Sequence, residues 1–260
     1  MRVQAETPAT AEVSQDLIEY ALRLGDSALL LGQRLGEWCG HAPELEDDIA
    51  LSNIALDLIG QARLLLGLAG EWEGRGRDED ALAFLRDVPE YRNLTLAELP
   101  NGDFGQTVLR IALFSGYQVA LWQALRSGGD ARLAAIADKA LAESRYHLRY
   151  AAEWVVRLGD GTDESRRRMQ QALAHWWPYL AEMFDDDALE RRLDGIAPPA
   201  RQLRAAWEAL ILPVLAQATL QRPEASAYRS GGKRGEHSEF LGHVLAEMQF
   251  LQRAYPGGNW

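Results

Sequence analysis

Apolar residues recur at three- and four-residue intervals along most of this chain, and helices follow from that spacing. In SQDLIEYALRLGDSALLLGQRLGEWCG, Leu17, Ala21, Leu24, Ala28, Leu31 and Leu35 share one face. This helix starts near Ser14, and Gly40 and Pro43 stop it. The next segment, ELEDDIALSNIALDLIGQARLLLGLAGEW, opens with Glu44, Glu46, Asp47 and Asp48, where acids favour the helix dipole. It is then apolar almost all round, so it is expected to be a buried, central helix. From Glu73 to Asp80 the chain is polar and Gly-rich. A short helix near Asp80–Arg86 and a loop with Pro89 and Pro100 complete a long connection. Asp103 is the expected N-cap of a third helix, FGQTVLRIALFSGYQVALWQALRS, ended by Gly128 and Gly129. A fourth helix is expected from about Asp130 to Leu158. Three more follow, near Ser165–Met183, Arg201–Leu220 and Glu236–Ala254, with Pro213 expected to kink the middle one. No useful stretch alternates with a strand period, and no internal repeat is present.

Two helices, a long crossover and two more helices are the connectivity of ferritin-like bundles. The expected fold is therefore all-α: a ferritin-like four-helix bundle with additional C-terminal helices. Residues 1–13 are expected to be a disordered tail and residues 14–260 one domain. Composition narrows the function. A formal charge of −11 argues against nucleic acid or an anionic membrane as partner. The single cysteine, Cys39, excludes an internal disulfide and any Cys-based zinc or iron–sulfur site. The N-terminal residues lack a signal-peptide core, and no apolar run approaches membrane length. A cytoplasmic protein is the expectation.

A di-metal centre in such a bundle needs a Glu from each of two helices and Glu-x-x-His from each of the other two. Anionic oxygens must neutralise two cations held about 4 Å apart. The first helix offers Asp16, Glu19, Asp26 and Glu37. The second offers only Asp57 between its first turn and Glu71, and no His. The third has no Asp, Glu or His after Asp103 and carries Arg110 instead. The fourth offers Asp138, Glu143, Glu153 and His147. Three residues before His147 stands Ser144; Glu143 lies a further ~100° round the helix and cannot stand in for it. This count argues against a di-metal centre and leaves open a mononuclear site of His147, Asp57 and Asp26. The competing reading is a polar network in the core. Asn53, Asp57 and Gln61 are spaced by four, as are Lys139, Glu143 and His147. Each buried polar group left unbonded costs about 1–3 kcal/mol, so such groups are expected to pair. His147 is then a hydrogen-bonded core residue or an i, i+4 partner of Glu143.

At these residues a resemblance becomes specific. LLLGQRLGEWCGHAPELEDDIALSNIALDLIGQAR (Leu29 to Arg63), AESRYHLRYAAEWVVRLGDGTDES, YRSGGKRGEHSEFLG (Tyr228 to Gly242) and LAEMQFLQRAYPGGNW resemble the PaaC family, the C subunits of bacterial 1,2-phenylacetyl-CoA epoxidases. The similarity runs over nearly the whole chain beyond the tail. It implies a subunit of an oxygenase complex that epoxidises the ring of phenylacetyl-CoA with O2 and NADPH, in aerobic phenylacetate breakdown. It implies as partners a catalytic, ferritin-like A subunit holding di-iron and further subunits including a reductase. The C subunit is regarded as structural. In the catalytic relative the second helix reads like Glu-x-x-His followed by Ala-Arg. Here Leu58 and Gln61 occupy those two positions, before Ala62-Arg63. On the fourth helix the matching pair is Ser144 and His147, so three of the four positions lack a metal-binding residue. The resemblance implies no metal and no catalytic residue in this chain. A stand-alone metal-dependent oxygenase and a ferritin-like oligomeric scaffold are the rival readings, and a homodimer is a further assembly to test.

Other segments carry weaker signals. SGGKRGEHSE, Ser230 to Glu239, is a Gly-rich basic loop before a helix. Lys233 and Arg234 there are candidates for a coenzyme A phosphate or an acidic partner surface, against a flexible turn. HWWPYLAEMF, His175 to Phe184, reads as core aromatics with an interface share. Cys39, two residues from His41, is expected to pack as a small apolar residue rather than act as a nucleophile. No G-x-S-x-G elbow places a serine nucleophile.

Overall fold

The computed structural model describes residues 15–224 and 230–258; the expected tail lies outside the described residues. Helices dominate, and among the described residues the only extended pairing is one isolated bridge, Gly231–Glu236. Helix α1 (Gln15–Gly36) turns into α2 (Leu45–Glu73), and the two pack closely. Small residues permit this: a Cβ on Gly25 would lie 2.9 Å from Leu66, and one on Gly32 would lie 3.0 Å from Ile59. Gly74 ends α2 in the left-handed conformation, φ 66°, and returns its N–H to the Gly70 carbonyl. The crossover holds α3 (Glu79–Phe84), a 3-10 turn at Val88–Glu90 and α4 (Thr95–Glu98).

Helix α5 (Phe104–Leu125) starts as expected. The Asp103 carboxylate accepts from the Gln106 N–H, and the Gln106 side chain accepts from the Asp103 N–H. Helix α6 (Ala131–Gly159) is capped by Asp130, whose carboxylate accepts from the Arg132 and Leu133 N–H groups. The pairs α1/α2 and α5/α6 form the four-helix bundle, a ferritin-like arrangement on one apolar core.

The C-terminal part departs from the expected three helices. Helix α7 (Asp163–Trp176) tightens into a 3-10 stretch, Trp177–Phe184, where Pro178 removes a backbone donor. A short helix α8 (Ala188–Arg192) follows, capped by Asp187. Helix α9 (Ala200–Gln217) carries Pro213 in its interior. The last expected helix is two, α10 (Glu239–Met248) and α11 (Phe250–Ala254), parted at Gln249. That side chain turns inward and donates to the Arg86 carbonyl at 2.9 Å and the Tyr91 hydroxyl at 2.9 Å.

The expectation that α2 is the buried central helix needs correction. Helix α5 holds that place, because α7 and α9 cover its outer side. Trp207 of α9 donates to the Leu113 carbonyl at 2.9 Å, and Ile211 fills the space over Gly116. Helix α2 is covered only on its inner side. Its outer apolar residues stay in solvent: Leu45 is 72% exposed, Leu56 65%, Ile49 53% and Leu64 42%. By length and composition α2 could cross a membrane, yet half of its apolar stretch is packed inside the bundle. Apolar periodicity marks what avoids water; it does not say which chain covers it.

Candidate functional site

The positions expected to hold metal ligands lie along the contact between α2 and α6, with α5 behind. Leu58, Gln61, Ser144 and His147 are all buried. Their polar atoms form a relay. The Ser144 hydroxyl donates to Gln118 Oε1 at 3.3 Å. Gln118 Nε2 donates to Gln61 Oε1 at 2.9 Å, and Gln61 Nε2 donates to Glu143 Oε2 at 2.9 Å. Lys139 Nζ lies 3.9 Å from Glu143 Oε1 at the solvent end. Every bond in this chain points the same way, from hydroxyl to carboxylate, so each polarises the next. Gln118 of α5 is the link that counting acids and histidines did not find. Its signal was weak: a polar residue in an otherwise apolar turn, of a type that ligates metals poorly.

His147 sits one turn along. Its Nε2 lies 2.9 Å from Asp57 Oδ2, so its partner is across the helix pair rather than Glu143 on its own helix. Burial lowers its pKa, against the pull of the Asp57 hydrogen bond and charge and the Glu143 charge. A neutral imidazole with its proton on Nε2 donates to Asp57, and Nδ1 stays buried without a partner. The contact continues in both directions. Tyr150 and Trp154 both donate to Asp47 Oδ1, at 2.8 and 2.9 Å, and the Arg132 guanidinium covers the Trp72 ring. Polar pairs thus zip α2 to α6 along their length. Asn53 is not among them. It is exposed, because four residues per step drifts ~40° round a helix relative to its 3.6-residue turn.

The set does not fit a di-metal ion centre. Leu58 has no donor atom, and Gln61 and Ser144 contribute neutral oxygens already held by the relay. Among the described residues no three His, Cys, Asp or Glu side chains come together as a metal site. The mononuclear alternative fails on geometry. Asp26 is turned to the crossover, where it pairs with Arg86 and accepts the Arg92 N–H at 2.8 Å. Both Asp26 and Arg86 are buried.

The basic loop is also corrected. Gly231–Glu236 is a pinned turn on the crossover. Lys233 is buried, with Nζ 2.7 Å from Glu190 Oε1 and donating to the Asp185 carbonyl at 2.7 Å. A lysine so neutralised is not free to hold a coenzyme A phosphate. Arg234 is exposed and lies 3.4 Å from Asp185. Next to this turn, His237 places both ring nitrogens against acceptors: Nδ1 2.8 Å from Glu98 Oε2, and Nε2 3.0 Å from the Tyr91 carbonyl. Arg110 reaches from α5 to the crossover. It donates to the Leu99 carbonyl at 2.6 Å and to Asn101 Oδ1, and burial lowers its pKa to about 9. The arginine on the third helix is thus an anchor of the loop. Cys39 is exposed rather than packed, and His41 contacts its carbonyl, not its thiol. In the aromatic stretch, Trp176 is fully buried and donates to the Gln106 carbonyl at 2.9 Å.

These features define a ferritin-like bundle with a hydrogen-bonded polar network where α2, α5 and α6 meet. The chain belongs to the phenylacetic acid catabolic protein family, whose model matches residues 1–260. It is 53% identical, over 246 residues, to the C subunit of the 1,2-phenylacetyl-CoA epoxidase of Escherichia coli (strain K12). That match covers 94% of this chain and 99% of the relative.

Proposed function

We propose that this chain is the C subunit of a 1,2-phenylacetyl-CoA epoxidase and acts there without a metal or catalytic residue of its own. The observation that carries this reading is the Ser144–Gln118–Gln61–Glu143 relay, built where the bundle's metal ligands would stand. The similarity to an epoxidase C subunit along nearly the whole chain supports the assignment to the complex. In this reading the chain binds and stabilises the catalytic, di-iron A subunit in the cytoplasm, and electrons reach that subunit through a reductase. Co-expression with the catalytic subunit, followed by metal analysis, tests it. A stable hetero-complex is expected, with iron in the partner and none in this chain purified alone. About two irons per isolated chain, or no co-purification, overturns it.

A further inference from the structure

The solvent side of α2 carries a second pattern. Leu45, Ile49, Leu56 and Leu64 are its exposed large apolar residues, with Asn53 and Gly60 between them. Taken with these two, the steps along the helix are four, four, three, four and four, which hold one stripe within the drift of a helical turn. Each of these side chains points away from the core that α2 shares with α1 and α6. A Cβ on Gly60 would meet no atom within 4 Å, so the stripe has a shallow notch near its middle. Beside it on α6 stands Tyr146, 42% exposed and adjacent to the His147 that meets Asp57.

The stripe spans about 30 Å, the length of a 20-residue helix. That is the seam a second helix fills when its own side chains pack between these. A monomer rarely leaves so continuous an apolar face in water. Charge selects among the helices that could cover it. The chain carries −11, so two copies meeting face to face repel. At the seam's N-terminal end, Glu44 and Glu46 are exposed and form no ion pair among the described residues. At the other end, the exposed Arg63 is held by Glu79 at 3.0 Å. The seam is therefore apolar along its length except at Asn53, acidic at one tip and neutral at the other.

We propose that the outer face of α2 docks a helix of a different subunit, one presenting an apolar ridge with Lys or Arg at the end that meets Glu44 and Glu46. This rests on the reading above, in which that subunit is the catalytic one. The docked helix would lie across α2 from the Gln61–Glu143 relay, so the helix that lost its ligands would serve as the contact between subunits.

Titrating full-length chain against the purified catalytic subunit by analytical ultracentrifugation tests this. Leu56→Asp is expected to weaken binding at least a hundredfold with an unchanged melting temperature, because Leu56 makes little use of the core. Glu46→Lys is expected to weaken it about tenfold. Leu85→Asp, at an exposed leucine away from the seam, is expected to leave it unchanged. In a Cys39→Ser background, Asn53→Cys is expected to react with a maleimide in the free chain and be protected in the complex. Wild-type binding that survives Leu56→Asp, or an Asn53→Cys thiol equally reactive in the complex, overturns the seam alone. A chain whose self-association is abolished by Leu56→Asp while partner binding persists assigns the face to a second copy and also overturns it. A wild-type chain that does not bind the catalytic subunit overturns the functional reading and the seam with it.

Discussion

Two buried histidines give this protein opposite responses to pH. At His237 burial works against the charged ring, but the Glu98 hydrogen bond and charge, with the Tyr91 carbonyl, outweigh it, and the pKa is raised. Both ring nitrogens face acceptors, so the doubly protonated ring satisfies both contacts. Its contribution to stability is complete below the ordinary histidine value of about 6.5 and is lost as pH rises through the raised, folded-state value. At His147 burial wins over Asp57 and the pKa is lowered. The unfolded chain then takes up a proton that the folded chain refuses, so stability is lost as pH falls below about 6.5. Urea unfolding between pH 5 and 9 should therefore weaken at both ends. His237→Gln should flatten the alkaline side and His147→Gln the acid side. Proton NMR titration should show the two rings moving away from 6.5 in opposite directions, and a shared direction would refute the assignment.

Among the helices, α5 touches the α2/α6 polar contact through the Gln118 amide. Replacing it with Leu keeps the volume and removes both ends of the link. The Gln61 carbonyl and the Ser144 hydroxyl are then buried without partners, at about 1–3 kcal/mol each. Gln118→Leu should lower the urea midpoint accordingly without changing helix content by circular dichroism. If it leaves stability unchanged, water or a neighbouring side chain repairs the relay. The elements themselves were readable in the sequence wherever local chemistry decides them. Asp103, Asp130 and Gly74 act through backbone groups within a few residues: Asp103 caps α5 as expected, α6 starts next to the expected Asp130, and α2 ends at the Gly-rich stretch that begins at Glu73. What could not be read depends on distant chain. The Asp26–Arg86 pair joins residues sixty apart, and the turn around Lys233 is fixed by Glu190 and by Glu182, which accepts the Lys233 N–H at 3.2 Å. Periodicity likewise placed α2 at the centre because it records apolar faces, whereas α5 is central only because α7 and α9 return to cover it. Of the site, Gln61, Glu143, His147 and Asp57 could be named from spacing. Asn53 could not be sorted from them, since its exposure turns on a drift of some tens of degrees.

Across the whole molecule, the buried ion pairs gather toward the crossover side of the bundle. Toward the crossover, Asp26 meets Arg86, Glu98 meets His237, and Glu190 meets Lys233 with Arg23 3.5 Å away. These pairs tie α1, the crossover, α8 and the segment before α10 together. Removing one partner of such a pair costs about 3–5 kcal/mol, because the other is left charged in the core. The middle of the α2/α5/α6 contact, by contrast, is built from amides, a hydroxyl and a neutral imidazole, and its carboxylates, Glu143, Asp57 and Asp47, are held by hydrogen bonds from neutral groups. That division reaches beyond the four positions Leu58, Gln61, Ser144 and His147. Placing metal-binding residues there, in the triple variant L58E/Q61H/S144E, would bury two carboxylates, because Leu58 and Ser144 are both buried. Arg110 is committed to the crossover and Lys139 stands at the solvent end of the relay, so neither is placed to neutralise them. The variant should lose several kcal/mol of stability in the presence of a chelator. It should recover only part of that with ferrous iron, because α5 still supplies no carboxylate and α1 turns Asp26 away. Thermal unfolding with and without iron, together with metal analysis after gel filtration, measures both effects. Full recovery with two bound irons would show that the ligand positions alone distinguish the two kinds of subunit. Partial recovery would place the difference in the charge layout of the whole bundle.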